Sequence, residues 1–315
     1  MCLSGRQQWC ISAIYDTIRG MSDTDKQGHP FAGQGAIILC AVFWSFNGIL
    51  IKFVDWNPLL IAGGRSLLAA LFLIVVRIIF RRTVRKINVW QSLPMLVLGS
   101  VNYALTMILF VVANKLTTSA NAILLQYTAP VWAALLGWHF LKEKPRPEHW
   151  GSLALVAAGM FFFFKNSIGG GSLSGDIFAL ISGITFGAHT VILRKARDQN
   201  PADILIGSNI LAGIACLPFF WIYPPEWTAS NITGMCILGF VQIGAASALF
   251  AYGIQRVTVI QAVLFMMVEP VLNPVWVLLA YGEMPPVPVL IGGCLILSAI
   301  VFPAAIQKNF FNRSN

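Results

Sequence analysis

The sequence predicts an all-α integral membrane protein with ten transmembrane helices arranged as two inverted five-helix repeats. Three observations predict this fold class. The composition is strongly apolar, ten apolar runs meet or approach the length of a membrane span, and the second half of the chain repeats features of the first at a displacement of 140 residues.

The composition places the chain in a lipid bilayer. Of 315 residues, 57% are hydrophobic and only 10% are charged, whereas a soluble domain carries about 25% charged residues. The net charge of +9 does not indicate a nucleic-acid partner, because the basic residues fall in short clusters between apolar runs. The six cysteines form no C-x-x-C pair and are expected to pack as free thiols.

The apolar runs define the helices, since a spanning helix needs about 20 apolar residues. The runs are residues 34–54, 58–80, 91–113, 118–140, 147–164, 174–193, 202–223, 232–254, 258–280 and 287–306. They group into one repeat over 33–166 and another over 175–306, joined by a glycine-rich linker at 167–174. A polar segment at 1–32, with a possible start at Met21, precedes them, and a tail at 307–315 follows.

Basic residues orient the helices. They cluster after the even-numbered runs: Arg77, Arg81, Arg82, Arg85 and Lys86, then Lys142, Lys144 and Arg146, then Arg194, Lys195 and Arg197. Cytoplasmic loops carry an excess of Lys and Arg. Both termini are therefore expected in the cytoplasm, in a multi-pass protein of the cytoplasmic (inner) membrane.

The repeat is clearest around two prolines. Ala129-Pro130-Val131 precedes Glu143, and Glu269-Pro270-Val271 precedes Glu283 at the same spacing. Five spans in each half make the second half enter the membrane in the opposite orientation. Inverted repeats of this kind place substrate sites at the repeat interface near the bilayer midplane.

Glu269 and Arg65 are the sharpest candidates for function. Each lies within an apolar run, where a charged side chain costs roughly 2.5–3.5 kcal/mol on insertion scales. Glu269 is either a proton-coupling group or a structural acid. Arg65 either binds an anionic substrate group or pairs within the fold, because its guanidinium suits carboxylates.

Polar and aromatic residues inside other runs are candidates for substrate binding, with interhelical hydrogen bonding as the alternative. They are Trp44, Asn47, Asn102, Tyr103, Gln126, Tyr127, His189, Gln242, Asn273 and Trp276. Pro130 and Pro270 are expected to bend their helices, and Glu143 and Glu283 to act as gates or anchors at helix ends. Gly183 and Gly187 form a G-x-x-x-G pair that indicates close packing within the bundle or, second, a homodimer face.

Motifs of soluble catalysis are absent from the sequence. It holds no G-x-x-x-x-G-K-[ST] phosphate loop, no H-E-x-x-H and no G-x-S-x-G. The four histidines are too scattered for a local metal motif. We therefore expect no catalytic residue, no cofactor and no metal.

Together these residues resemble the EamA-type family of the drug/metabolite transporter superfamily. The similar segments are Gln126–Val131 with Glu143, Val268–Val271 with Tyr281-Gly282-Glu283, Gly175-Asp176, Arg65 and Arg194-Lys195. The resemblance covers about residues 34–306. It implies a secondary transporter, often an exporter of amino acids or related metabolites, with the fifth and tenth helices at the periphery.

The leading expectation is thus a secondary active transporter of a small metabolite, working outward. Two alternatives stay open: an integral-membrane enzyme that modifies lipids, and a non-transporting sensor or assembly subunit. The inverted repeat favours transport, because alternating access gives that symmetry a mechanical use.

Overall fold

Every element of the computed structural model is helical in the residues that it describes, which are 30–46, 50, 53–79, 89–117, 119–165, 172–198, 201–282, 284 and 286–311. Several sequence predictions fall outside these residues. They are the possible start at Met21, the candidates Asn47 and Glu283, the basic cluster at 81–86 and most of the linker.

The helices follow the apolar runs closely. They are α1 (Pro30–Ser45), α2 (Pro58–Ile79), α3 (Val89–Leu116), α4 (Ser119–Gln126), α5 (Ala129–Leu141), α6 (Pro147–Phe164), α7 (Leu173–Lys195), α8 (Pro201–Cys216), α9 (Phe219–Ile222), α10 (Ala229–Cys236), α11 (Ala246–Ile254), α12 (Val259–Met266), α13 (Val268–Tyr281) and α14 (Val287–Phe311). A π-helical stretch, Ile237–Ala245, joins α10 to α11.

The membrane character of the chain is confirmed. Within the described residues, six helical stretches are long and apolar enough to cross a membrane, beginning in α2, α3, α7, α8, α10 and α12. Shorter apolar stretches lie in α1 and α14, at Ala32–Ser45 and Val287–Phe302. The number of ten spans stays a prediction.

Two of the predicted runs are broken rather than bent. α4 ends at Gln126 and α5 begins at Ala129, while α12 ends at Met266 and α13 begins at Val268. The cause is the proline in each following turn. Pro130 and Pro270 have no N–H to donate to the carbonyl four residues earlier, which belongs to Gln126 in one run and to Met266 in the other.

The two halves pack on each other with their roles exchanged. α1 begins the first half and packs on α11 and α13 of the second half. α7 begins the second half and packs on the corresponding helices of the first half, α3 and α5. α2 pairs with α8, and α6 pairs with α14. This is the contact pattern that a two-fold relation between the halves produces.

Gly183 and Gly187 let α7 approach the first break closely. A Cβ on Gly183 would lie 2.8 Å from the Leu125 carbonyl oxygen, and one on Gly187 would lie 2.8 Å from that of Ala129. Close approach of this kind is the usual role of small residues between membrane helices. The G-x-x-x-G pair is therefore used inside the bundle, and a homodimer would need another face.

We expect Gly187→Val to destabilise the protein by about 1–3 kcal/mol, the usual cost of overpacking, because the new side chain meets backbone that cannot move aside. The matched control is Gly35→Val in α1, where a Cβ would have no neighbour within 4 Å. Thermal unfolding in detergent checks this. Equal melting temperatures for the two variants would contradict the packing described here.

Candidate functional site

The two helix breaks meet in the middle of the bundle. Tyr127 lies at the first break and Glu269 in the first turn after the second, and the Tyr127 hydroxyl is within hydrogen-bonding reach of the Glu269 carboxyl group. The chain folds this way because a proline follows each break, where a missing N–H is tolerated at the start of a helix. A local hydrogen bond also lies at the first break, where the Thr128 hydroxyl donates to the Leu125 carbonyl oxygen over 2.7 Å.

Arg65 of α2 supplies the positive charge of this centre. Its guanidinium lies close enough to Glu269, and also to Tyr103, for electrostatic interaction. Arg65 and Tyr103 line a cavity of about 30 Å³ together with Cys216 of α8. A volume of that size holds about one water molecule, so the site is nearly closed in this conformation.

His189 of α7 extends the centre through Tyr103. The two rings are in contact, with their centroids 4.9 Å apart and their planes tilted by 42°, and His189 is buried. The Gly99 carbonyl lies near the imidazole, yet neither ring nitrogen makes a hydrogen bond of normal geometry among the described residues. A buried polar group without a partner is costly, so these nitrogens are available to a ligand.

Two further candidates have an unpartnered atom in the described part of the chain. Trp44 packs against Phe186 and Phe250, with ring centroids 6.5 and 5.8 Å away, and its indole N–H lacks an acceptor. The amide nitrogen of Gln242, in the π-helical stretch, donates to the Trp44 carbonyl at 3.4 Å. The side-chain oxygen of Gln242 has no donor.

Trp276, Asn102 and Gln126 have their polar groups engaged by the protein. The Trp276 indole donates to the Ser45 hydroxyl at 2.7 Å. Asn102 donates to the Thr185 carbonyl at 2.7 Å, and Gln126 to the Ser182 hydroxyl at 3.0 Å. For Asn102 and Gln126 the structure thus favours the interhelical alternative, with both side chains holding α7 in place.

Asn273 lies in α13, but its side chain is outside the described part of the structure, as are Asn47 and Glu283.

Glu143 lies apart from this centre, at the end of the bundle where α5 and α7 terminate. Its carboxylate pairs with Arg194, whose Nε donates to Glu143 Oε1 over 2.9 Å. From the sequence, Arg194 contributed to the orientation of the helices and to the family resemblance, but its contact with Glu143 was not predicted. The available signal was a single arginine in the last turn of an apolar run that also carries the G-x-x-x-G pair.

Two successive stretches of the chain, residues 31–165 and 173–303, match the EamA-like transporter family. The chain belongs to that family. Family membership identifies it as a multi-pass membrane transporter of small molecules, and the expected resemblance is confirmed.

Relatives of low sequence identity align with most of the chain. A Bacillus subtilis protein named "Uncharacterized transporter YwfM" is 26% identical, over 86% of this chain and 94% of its own length. An Archaeoglobus fulgidus "Uncharacterized transporter" is 26% identical, over 85% of this chain and 95% of its own. One solved crystal structure shares the fold with a TM-score of 0.77 at 19% identity, covering 89% of this chain and 98% of that one.

The candidate residues differ in whether their polar groups have hydrogen-bond partners in the described part of the chain. We expect Asn102→Ala to lower stability by about 0.6–1.7 kcal/mol, the range for a hydrogen bond between membrane helices. We expect His189→Phe not to lower it, because the change removes a buried imidazole without a partner and keeps a ring against Tyr103. Thermal unfolding of both variants measures the difference, and a larger loss for His189→Phe would contradict it.

Proposed function

We propose that the protein is a secondary active transporter that exports a small metabolite, an amino acid or a related compound, across the cytoplasmic membrane by alternating access. The meeting of the two helix breaks at Tyr127 and Glu269 carries this proposal. Broken helices at a repeat interface provide a midplane substrate site, because the interrupted backbone lines a cavity rather than facing lipid.

The exchange of roles between the halves supports alternating access. The contacts that α1 makes with α11 and α13 are made by α7 with α3 and α5. If the halves swap conformations, the pathway closes at one end of the bundle and opens at the other. Ten spans in two inverted halves, with both termini in the cytoplasm, complete this proposal.

The substrate site forms fully only when the helices move. A pocket for a small molecule has a volume of about 300–1,000 Å³, and the cavity beside Arg65 has about 30 Å³. The groups that gain a partner from the substrate are the Trp44 indole, the His189 ring and the Gln242 amide oxygen. The faces of Tyr103 and Trp276 would suit an apolar part of the same molecule.

Glu269 is proposed to couple export to protons. Its neighbours include a hydroxyl donor in Tyr127 and a positive charge in Arg65. An anionic group of the substrate would pair with Arg65, and its amino group would pair with Glu269 only after that carboxyl group has released a proton. The proton returns once the substrate has left. Substrate and proton therefore occupy the site in turn, and protons move inward as the substrate moves outward.

We expect Glu269→Gln to abolish the response of transport to a pH gradient, because the amide cannot carry a proton. The test begins with the metabolite that accumulates in the medium of cells overproducing wild type but not in that of vector controls. Its flux is then measured in proteoliposomes with and without an imposed pH gradient. Asp198→Asn is the matched control, since Asp198 is exposed in a 3.6 Å pair with Arg197.

The proposal requires a gradient response in wild type and Asp198→Asn that is missing in Glu269→Gln. An equal response in all three proteins would remove Glu269 from the coupling. If no metabolite moves in either direction with wild type, the sensor or assembly role and the lipid-modifying enzyme replace export.

A further inference from the structure

Arg194 makes more polar contacts than any other side chain described at its end of the bundle. Besides the bond to Glu143, its Nη1 donates to the carbonyl oxygens of Ile254 over 3.1 Å and Gln255 over 2.9 Å. Glu143 accepts a second bond from the Val259 N–H over 2.9 Å. The side chains of the pair are only 10% and 22% exposed, so these charge-assisted bonds are shielded from water and are stronger than neutral ones.

Two of these four bonds, both to Glu143, join the two halves, and the other two hold Arg194 within the second half. Arg194 at the end of α7 satisfies the last carbonyls of α11, and Glu143 after α5 caps the first N–H of α12. Helix ends leave such backbone groups without partners. One ion pair therefore holds α5 of the first half against α7, α11 and α12 of the second.

Glu143 also lines a cavity at this end of the bundle. The cavity has a volume of about 330 Å³ and is lined in addition by Ala133 and Gly137 of α5 and by Thr258 before α12. Ala133 lies one helical turn beyond Ala129, the residue that begins α5 after the first break. Separation of α5 from α12 at this end would extend the cavity toward Tyr127 and Glu269.

At the opposite end of the bundle, the position equivalent to Arg194 is not occupied by an arginine. At a displacement of 140 residues that position is Val54, which is buried against Met235 and Leu238. The small cavity beside Arg65 lies toward this end, since Leu59 at the start of α2 lines it.

One charged group bonds across the halves at that opposite end: the Asp176 carboxylate accepts from the Thr117 hydroxyl over 2.7 Å and from the Asn121 amide over 3.3 Å. Two other contacts there are neutral: Asp55 N–H donates to the Asn231 side chain over 3.0 Å, and the Trp56 indole donates to the Glu226 carbonyl over 2.8 Å. Four ion pairs between described side chains, including that of Arg194 with Glu143, lie at the Arg194 end.

We propose that Arg194, through Glu143, is a one-sided latch that holds its end of the transporter closed at rest and must release before the substrate enters there. The inference rests on the proposed alternating access. By the charge rule this end faces the cytoplasm, so the resting protein is closed to the cytoplasm. The latch makes Arg194 a positioning residue for the transport cycle, with no contact to the substrate.

The test measures thiol accessibility, which does not depend on transport. Two backgrounds are made from the full chain in detergent: one without native cysteines that carries Ala133→Cys, and one that retains only Cys216. Ala133 is fully buried in the closed state. Labelling rates with a hydrophilic maleimide are compared for wild type, Arg194→Ala and the matched control Arg197→Ala, whose exposed side chain pairs with Asp198.

We expect Arg194→Ala to raise labelling at Ala133→Cys by about tenfold or more, a change of about 1.4 kcal/mol in the closing equilibrium, while Arg197→Ala leaves it unchanged. A rise at Ala133→Cys with a fall at Cys216, beside Arg65 toward the opposite end, supports both the latch and alternating access. A rise without that fall supports the latch and contradicts alternating access.

Two results would overturn the latch whatever the transport assay shows. One is unchanged labelling at Ala133→Cys in Arg194→Ala, and the other is an equal rise in Arg197→Ala, which would indicate general loosening. If Arg194→Ala does not give a monodisperse protein, Glu143→Gln replaces it. That variant keeps an acceptor for the Val259 N–H and removes only the charge, and labelling equal to wild type would again overturn the proposal.

Discussion

A bilayer supplies no water to satisfy backbone polar groups, and this constraint governs where the chain can interrupt its helices. The breaks at Tyr127–Thr128 and at Met267 would each be costly facing lipid. The fold buries them together, with α7 packed closely against the first through Gly183 and Gly187. Much else in the bundle follows from that burial, including the approach of Tyr127 to Glu269 and the position of Arg65 beside them.

Two pairs of charged side chains lie at different levels of the bundle. Glu269 and Arg65 lie at the centre, where Arg65 lines a small cavity. Glu143 and Arg194 lie at one end, where backbone groups of α11 and α12 use their remaining hydrogen-bonding capacity. In the proposed cycle the first pair exchanges partners with a substrate, whereas the second is made or broken as the helices move.

The features that could be predicted from the sequence are those that depend on local chemistry. Prolines at equivalent places in two halves located the breaks, and the cost of a charge in an apolar run singled out Glu269 and Arg65. The use of Asn102 and Gln126 to hold α7 was not predictable, because an amide in a membrane helix is equally suited to a substrate and to a neighbouring carbonyl. Arg194 was missed because a basic residue at a helix end is already explained by the orientation of the chain, and its partners lie 51 and 60 residues away.

We infer that Tyr127 and Glu269 act as one unit where the two helix breaks meet. The most direct measurement is a double-mutant cycle on binding of the exported compound to purified protein, with Tyr127→Phe, Glu269→Gln and the combined variant. Residues in direct contact show coupling energies of about 0.5–3 kcal/mol. We therefore expect the double variant to bind the compound almost as tightly as whichever single variant binds it less tightly. Losses that add within about 0.5 kcal/mol would show that the two side chains act independently and would contradict the account.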